Sequence, residues 1–152
     1  MELFEVILRQ VDEAFASAPR PEHFTDFGHC DECLAHDRLL RSRDRETLQR
    51  TDLPEGNDPM CFISPAGFAY YFPALARFAV WEAAAITGPY APQLLFHLWS
   101  GGPYNTFLAA FAPEQRRAVV EFLGYIGHCG SAGVIDHDYL RQAIENWSAA
   151  GG

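Results

Sequence analysis

The stretch GHCDECLAHD, residues 28–37, holds two of the four cysteines and two of the six histidines of this 152-residue chain. On a helix, where successive residues are about 100° apart, one narrow face carries His29, Cys33, His36 and Leu40. Cys30 lies beside that face. Such a stripe of thiols and imidazoles has three interpretations, which are core packing, metal binding and thiol chemistry.

Core packing is the simplest interpretation. A free cysteine behaves as a small, readily buried hydrophobe, and the stripe continues into Leu40. The two histidines would then lie at the edge of the core with hydrogen-bond partners.

Zinc binding is the second interpretation, because cysteine and histidine are its usual protein ligands. His29 and His36 are separated by about 10 Å along a regular helix, whereas zinc ligands lie only about 2.0–2.3 Å from the ion. Four ligands from one helix therefore converge poorly, but three can converge if Cys30 precedes the first regular turn. The candidate ligands are His29, Cys30, Cys33 and His36, with His128, Cys129 or a water completing the set. No other cofactor is indicated.

Thiol chemistry is the third interpretation, because a helix N-terminus lowers the pKa of a cysteine. Asp31 and Glu32 lie between the two cysteines, however, and their charges favour the neutral thiol. The βαβ pattern that accompanies thioredoxin-like Cys-x-x-Cys motifs is also missing. The sequence therefore disfavours this interpretation.

The charge balance restricts the class of partner. The chain has 11 basic residues, all of them arginine, against 20 acidic residues, which gives a net charge of -9. Such a chain repels nucleic acid and anionic membranes, but it can bind a basic protein. No phosphate-binding, nucleophile-elbow or zinc-protease motif is present. We therefore expect a binding protein, regulatory or immunity-type, and assign no catalytic residue; a zinc-binding domain or metal-dependent enzyme is the alternative.

Two further stretches bear on location. The N-terminal MELFEVILRQVDEAF carries acids where a signal peptide requires positive charge, which predicts a cytoplasmic protein with reduced cysteines. The most apolar stretch, residues 62–86, contains Arg77 and Glu82, each of which would cost about 2.5–3.5 kcal/mol in a bilayer. We interpret it as a buried helix.

The elements that would position these residues are helical throughout. The apolar periodicity predicts one all-α domain over residues 1–152 with about six or seven helices. A first helix ends before Pro19, and a second begins near Asp26 or Gly28 and continues to about residue 50. The central helix spans residues 64–86, begins at Ser64-Pro65, and is kinked or split near Pro73.

Three side chains of the central helix are expected to be deeply buried, namely Phe72, Leu75 and Phe78. Two short helices then flank the SGGP turn, and another begins at Pro113. A last helix, capped by Asp136, presents a buried stripe of Leu140, Ala143, Ile144 and Trp147.

The segment RPEHFTDFGHCDECLAHDRLL, residues 20–40, resembles the motif of an uncharacterised family of small bacterial proteins. Its pattern is Arg-Pro-x-His-Phe, His-Cys-x-Glu-Cys and His-Asp. The later blocks FISPAGFAYYFPAL and FAPEQRRAVVEFLGYI are also similar, so the resemblance covers most of the chain. It implies a stand-alone bacterial cytosolic protein and marks motif positions without roles, namely His23, His29, Cys30, Glu32, Cys33, His36 and Asp37.

Overall fold

The computed structural model describes residues 2–80, 88–128 and 135–150, and these residues form helices and loops without a β-strand. The described α-helices are α1 (Leu3–Phe15), α2 (Asp31–Arg41), α3 (Pro65–Val80), α4 (Ala91–Trp99), α5 (Thr106–Ala110), α6 (Pro113–Ile126) and α7 (His137–Ala150). Short 3-10 turns lie at Arg50–Asp52, Pro59–Cys61 and Gly102–Tyr104. The all-α prediction is confirmed. No helix in the described ranges is long and apolar enough to cross a membrane.

Helix α3 lies at the centre, where it packs against α1, α4, α5 and α6. Its start follows the prediction: the Ser64 hydroxyl accepts a hydrogen bond from the Gly67 amide at 3.1 Å, and Pro65 is the first helical residue. The helix runs unbroken through Pro73, so the predicted splitting does not occur. The rest of the predicted central helix, residues 81–86, lies outside the described residues.

The burial of α3 differs from the prediction at one position. Phe72 and Leu75 are fully buried, but Phe78 is only partly buried and packs against the edge of the core. Phe78 is displaced by about 120° around the helix axis from Phe72, which turns it to the flank beside the half-exposed Arg77.

Aromatic rings fill the space around α3. The Phe72 ring stacks on Phe15 of α1, with centroids 4.7 Å apart, and meets Phe122 of α6 edge-on at 5.9 Å. One turn earlier, the Phe68 ring stacks on Phe107 of α5 at 3.9 Å. Stacked and edge-on pairs add to the stabilisation from burial alone, so these rings join four helices into one core.

Helix α2 is shorter than predicted. It begins at Asp31 and ends at Arg41, and residues 42–64 form a loop that contains two 3-10 turns. Arginines attach this loop to the core: the Arg45 guanidinium donates to the Phe15 carbonyl at 2.7 Å, and Arg77 donates to the Arg45 carbonyl at 2.7 Å. These hydrogen bonds provide partners for the Phe15 and Arg45 carbonyls, which are not paired within a regular helix.

The C-terminal helix follows the prediction closely. The Asp136 carboxylate caps α7 by accepting hydrogen bonds from the amides of Asp138 and Tyr139, both at 3.0 Å. The predicted stripe faces the core, with Leu140, Ala143 and Trp147 buried and Ile144 partly buried.

The loop before α2 lies against the start of α3. Thr25 and Ile63 form an isolated antiparallel bridge, and the Ser64 amide donates to the Phe24 carbonyl at 2.7 Å. Gly67 permits this approach, because a Cβ there would lie only 2.8 Å from Ile63 Cγ1 and 2.9 Å from Phe24 Cδ1. The loop is thereby fixed where it leads into the cysteine pair.

Candidate functional site

Cys30 occupies the N-cap of α2. Its backbone is extended, with φ -163° and ψ 171°, and its Sγ accepts a hydrogen bond from the Cys33 amide at 3.4 Å. A turn precedes it, in which the His29 amide donates to the Asp26 carbonyl at 3.0 Å. Cys30 therefore lies outside the regular helix, which is the condition under which three ligands from this stretch can converge.

Three potential ligand atoms meet at this helix start. Cys30 Sγ lies 3.3 Å from Cys33 Sγ, and Cys33 Sγ lies 3.9 Å from His29 Nδ1. The ligand atoms of His29, Cys30 and Cys33 all lie within 4.8 Å of one another. Cys33 is 6% exposed, whereas His29 and Cys30 are open to solvent. The cluster therefore has one buried and two accessible members.

The two thiols differ in acidity. Hydrogen bonds from the Cys33 amide, the His29 side chain and the Cys33 thiol lower the pKa of Cys30 to about 7. The sulfur of Cys30 and burial raise the pKa of Cys33, and the Cys30 side chain raises the pKa of His29. The lowered pKa of Cys30 differs from the expectation that Asp31 and Glu32 favour its neutral thiol, and hydrogen bonding at the helix start is the physical cause.

Two of the other predicted ligands, His36 and His128, are not part of this group of three. His36 is 5% exposed, and its ring stacks on Phe62 with centroids 5.0 Å apart. Its Nε2 lies 3.8 Å from Glu32 Oε1 and makes no hydrogen bond with any described residue. His128 is exposed just beyond α6, and Cys129 lies outside the described residues. Among the candidates that the structure describes, His29, Cys30 and Cys33 come together without His36 and His128.

A histidine–aspartate pair that sequence reasoning did not assign lies next to the cluster. Asp37, 1% exposed, accepts hydrogen bonds from His23 Nδ1 at 2.8 Å, the Phe24 amide at 2.7 Å and the Thr25 amide at 3.2 Å. Thr25 Oγ1 in turn donates to the Cys33 carbonyl at 2.7 Å. These bonds fasten the loop that precedes Cys30 onto α2.

Hydrogen bonding decides the charge state of Asp37. Burial alone would raise its pKa, but the bonds from His23 and from the Phe24 and Thr25 amides outweigh burial and lower it. The motif resemblance marked both His23 and Asp37, but a separation of 14 residues gave no sign that they touch. Their contact depends on how the loop folds back.

A second buried polar cluster lies around Asp58, in the loop that follows α2. Its Oδ2 accepts hydrogen bonds from the Tyr90 hydroxyl at 2.7 Å, His97 Nε2 at 3.0 Å and Gln93 Nε2 at 3.1 Å. Asp58 is 4% exposed. The cluster joins the loop to α4. Because Asp58 is buried and hydrogen-bonded to these side chains, we assign the cluster a structural role.

Comparison with known proteins supplies a family but no activity. No curated protein and no solved structure matches the chain. The family of unknown function DUF6714 matches residues 4–150. The expectation of an uncharacterised family is thereby confirmed, and the chain belongs to DUF6714.

Proposed function

We propose that this protein binds a zinc ion through His29 Nδ1, Cys30 Sγ and Cys33 Sγ. The single observation that supports the proposal is the convergence of these three atoms within 4.8 Å. Two thiolates and an imidazole are the donor set that zinc prefers, whereas magnesium and calcium prefer oxygen ligands.

The distances are close to those of a tetrahedral zinc site. With zinc–sulfur bonds of about 2.3 Å and a zinc–nitrogen bond of about 2.0–2.1 Å, the two sulfurs would lie about 3.8 Å apart and sulfur and nitrogen about 3.6 Å apart. The corresponding distances here are 3.3 Å and 3.9 Å. These two distances differ from the tetrahedral values by about half an ångström or less, and the third, between the ligand atoms of His29 and Cys30, is at most 4.8 Å.

Among the described residues no fourth ligand joins these three, so the fourth zinc position is proposed for water or a bound molecule. Both His29 and Cys30 are exposed, so solvent reaches the face of the cluster opposite the buried Cys33. Closed structural zinc sites use four protein ligands, whereas reactive sites use three and leave one position exchangeable. With three protein ligands within the described part of the chain, the proposed centre resembles the reactive type.

Elemental analysis of protein purified without chelator tests the proposal. We expect one zinc per chain in the wild type and none in Cys30→Ser or Cys33→Ser. Because bound metal contributes folding free energy, chelator should lower the Tm of the wild type and leave that of Cys33→Ser unchanged.

Two matched variants make the test specific. Cys61→Ser removes a cysteine outside the cluster, and His36→Gln removes the histidine that stacks on Phe62; both should retain zinc. A wild type without metal and indifferent to chelator would refute the proposal. In that case Cys33→Ala should cost only about 1 kcal/mol, as for a typical point variant, and the stretch would serve packing.

A second candidate function is binding to a basic protein partner. The observation that favours it is the surface around the cluster, where Asp26, Asp31 and Glu32 are exposed beside Phe27, itself 43% exposed. A photo-crosslinking residue placed at Phe27 should capture a partner in cells, and Asp31→Asn with Glu32→Gln should reduce the yield. The same residue at Tyr104, 89% exposed in the 3-10 turn Gly102–Tyr104, is the control. Equal capture at both positions would contradict this function.

A further inference from the structure

The two sulfurs at the start of α2 are close together but unequal in access. Cys30 Sγ and Cys33 Sγ are 3.3 Å apart, with Cys30 exposed at the N-cap and Cys33 buried. We propose that the pair carries out thiol–disulfide exchange, with Cys30 as the attacking thiol, Cys33 as the resolving thiol and a disulfide-bearing molecule as the substrate.

Accessibility assigns the two roles. A disulfide can approach Cys30 from solvent along its exposed side, whereas Cys33, 6% exposed, is shielded from any external sulfur. The Cys33 amide donates to Cys30 Sγ at 3.4 Å, so negative charge on that sulfur has a hydrogen-bond donor whether it attacks or leaves. Cys33 can reach the Cys30 sulfur, because the two sulfurs lie 3.3 Å apart at the start of the helix.

The exchange proceeds in two balanced steps. The Cys30 thiolate attacks one sulfur of the substrate, the substrate S–S bond breaks, and the departing thiolate takes up a proton from water. A mixed disulfide between Cys30 and the substrate remains. Cys33 then loses its proton to water and attacks Cys30 Sγ, which lies 3.3 Å away. The second substrate thiolate leaves and takes up a proton from water, so the protein loses two electrons and the substrate disulfide becomes two thiols.

This chemistry uses the sulfurs of the proposed zinc site but does not depend on the ion. A sulfur bonded in a disulfide no longer supplies a thiolate ligand, so oxidation of the pair and zinc binding exclude each other. The reduced protein would bind zinc, and a disulfide-bearing molecule would release the ion as the pair closes.

Mass spectrometry of chelator-treated protein tests the exchange. In a Cys61→Ser, Cys129→Ser background only the pair remains of the four cysteines. Glutathione disulfide should remove both free thiols and lower the mass by two hydrogens. Adding Cys33→Ser should instead trap one glutathionyl adduct on Cys30. Adding Cys30→Ser should instead leave Cys33 as the only target, with adduct formation slower by about tenfold or more because burial limits access.

Insulin, which carries protein disulfides, serves as a second substrate. It distinguishes a low-molecular-weight disulfide substrate from a protein disulfide substrate. Reduction of glutathione disulfide alone indicates a low-molecular-weight substrate, and reduction of insulin as well indicates protein disulfides. If neither reagent closes the pair in folded protein, or if Cys30 and Cys33 form adducts at equal rates, the proposal is overturned. Should the background variant fail to fold, peptide mapping of the oxidised wild type must find the Cys30–Cys33 disulfide. Zinc content is measured separately on reduced protein, so failure of either proposal is recognised independently.

Discussion

At the residue scale, Asp37 fixes the loop that leads into the cysteine pair. It is almost fully buried, and its carboxylate accepts hydrogen bonds from one side chain and two backbone amides of the loop that precedes Cys30. The amides of Phe24 and Thr25 belong to buried residues and have no access to water as a replacement partner. A buried donor left without a partner costs about 1–3 kcal/mol.

We therefore predict that Asp37→Ala lowers the free energy of unfolding by at least about 2 kcal/mol, because two buried amides lose their acceptor. Urea denaturation at neutral pH measures the loss. The matched control is Asp31→Ala, an exposed acid in the first turn of the same helix, which should cost less than about 1 kcal/mol through the helix dipole. Equal losses for the two variants would show that the Asp37 hydrogen bonds do not hold the loop.

At the element scale, α3 organises the core, and two of its phenylalanines, Phe72 and Phe78, differ in environment. Phe72 is fully buried and contacts the rings of Phe15, Phe68, Phe111 and Phe122. Phe78 is only partly buried. The two residues lie on one helix and have the same side chain, so comparing them isolates the effect of burial.

We predict that Phe72→Ala costs about 3–5 kcal/mol, the usual loss for a phenylalanine removed from a core. Phe78→Ala should cost less than half as much, because its ring already keeps part of its surface in water. Thermal and urea denaturation of the two variants provide the comparison. If Phe78→Ala proved as destabilising as Phe72→Ala, the flank of α3 would have to be counted as core.

At the scale of the whole molecule, buried hydrogen bonds connect the long loop after α2 to the helices. The Asp58 carboxylate contacts Tyr90, Gln93 and His97 of the segment that forms α4. Burial alone would raise its pKa, but the hydrogen bond and charge of His97 and the bonds from the Tyr90 hydroxyl and the Met60 amide lower it. Burial and the Asp58 charge also raise the pKa of Tyr90 well above its usual value.

A lowered pKa in the folded state makes stability depend on pH in a definite direction. Because folded Asp58 binds its proton less readily than unfolded aspartate, whose pKa is about 3.9, the unfolded state takes up more protons as pH falls. The contribution of Asp58 is complete above about pH 5 and is lost as the pH falls through its folded pKa.

We therefore predict that Asp58→Asn destabilises the protein by about 2–3 kcal/mol at pH 7, since breaking a buried charged hydrogen-bond network is costly. The difference from wild type should shrink as the pH is lowered toward 3. Urea denaturation at a series of pH values measures this, with the exposed Asp138→Asn as control. A difference that stayed constant down to pH 3 would contradict the assignment of an ionised Asp58.

The sequence by itself determined the helical architecture, because that information is local. The apolar stripe of α7, the Asp136 cap and the Ser64-Pro65 start of α3 all follow from the order of neighbouring residues, and the structure has them where they were predicted. The spacing of Cys30 and Cys33 likewise predicted that the two thiols lie within reach of one another near the start of α2, and they do. These features require only backbone periodicity and capping.

Only the tertiary structure decided which side chains meet. The sequence offered six metal ligands, and the placement of Cys30 at the N-cap brings His29, Cys30 and Cys33 together, while His36 turns to Phe62. The sequence pattern did not indicate that His23 pairs with Asp37 or that Asp58 pairs with His97, because the partners are 14 and 39 residues apart. Such contacts form because the buried polar groups of a folded chain must find hydrogen-bond partners. The periodicity of the sequence indicates which face of a helix is buried, but not which residues that face contacts.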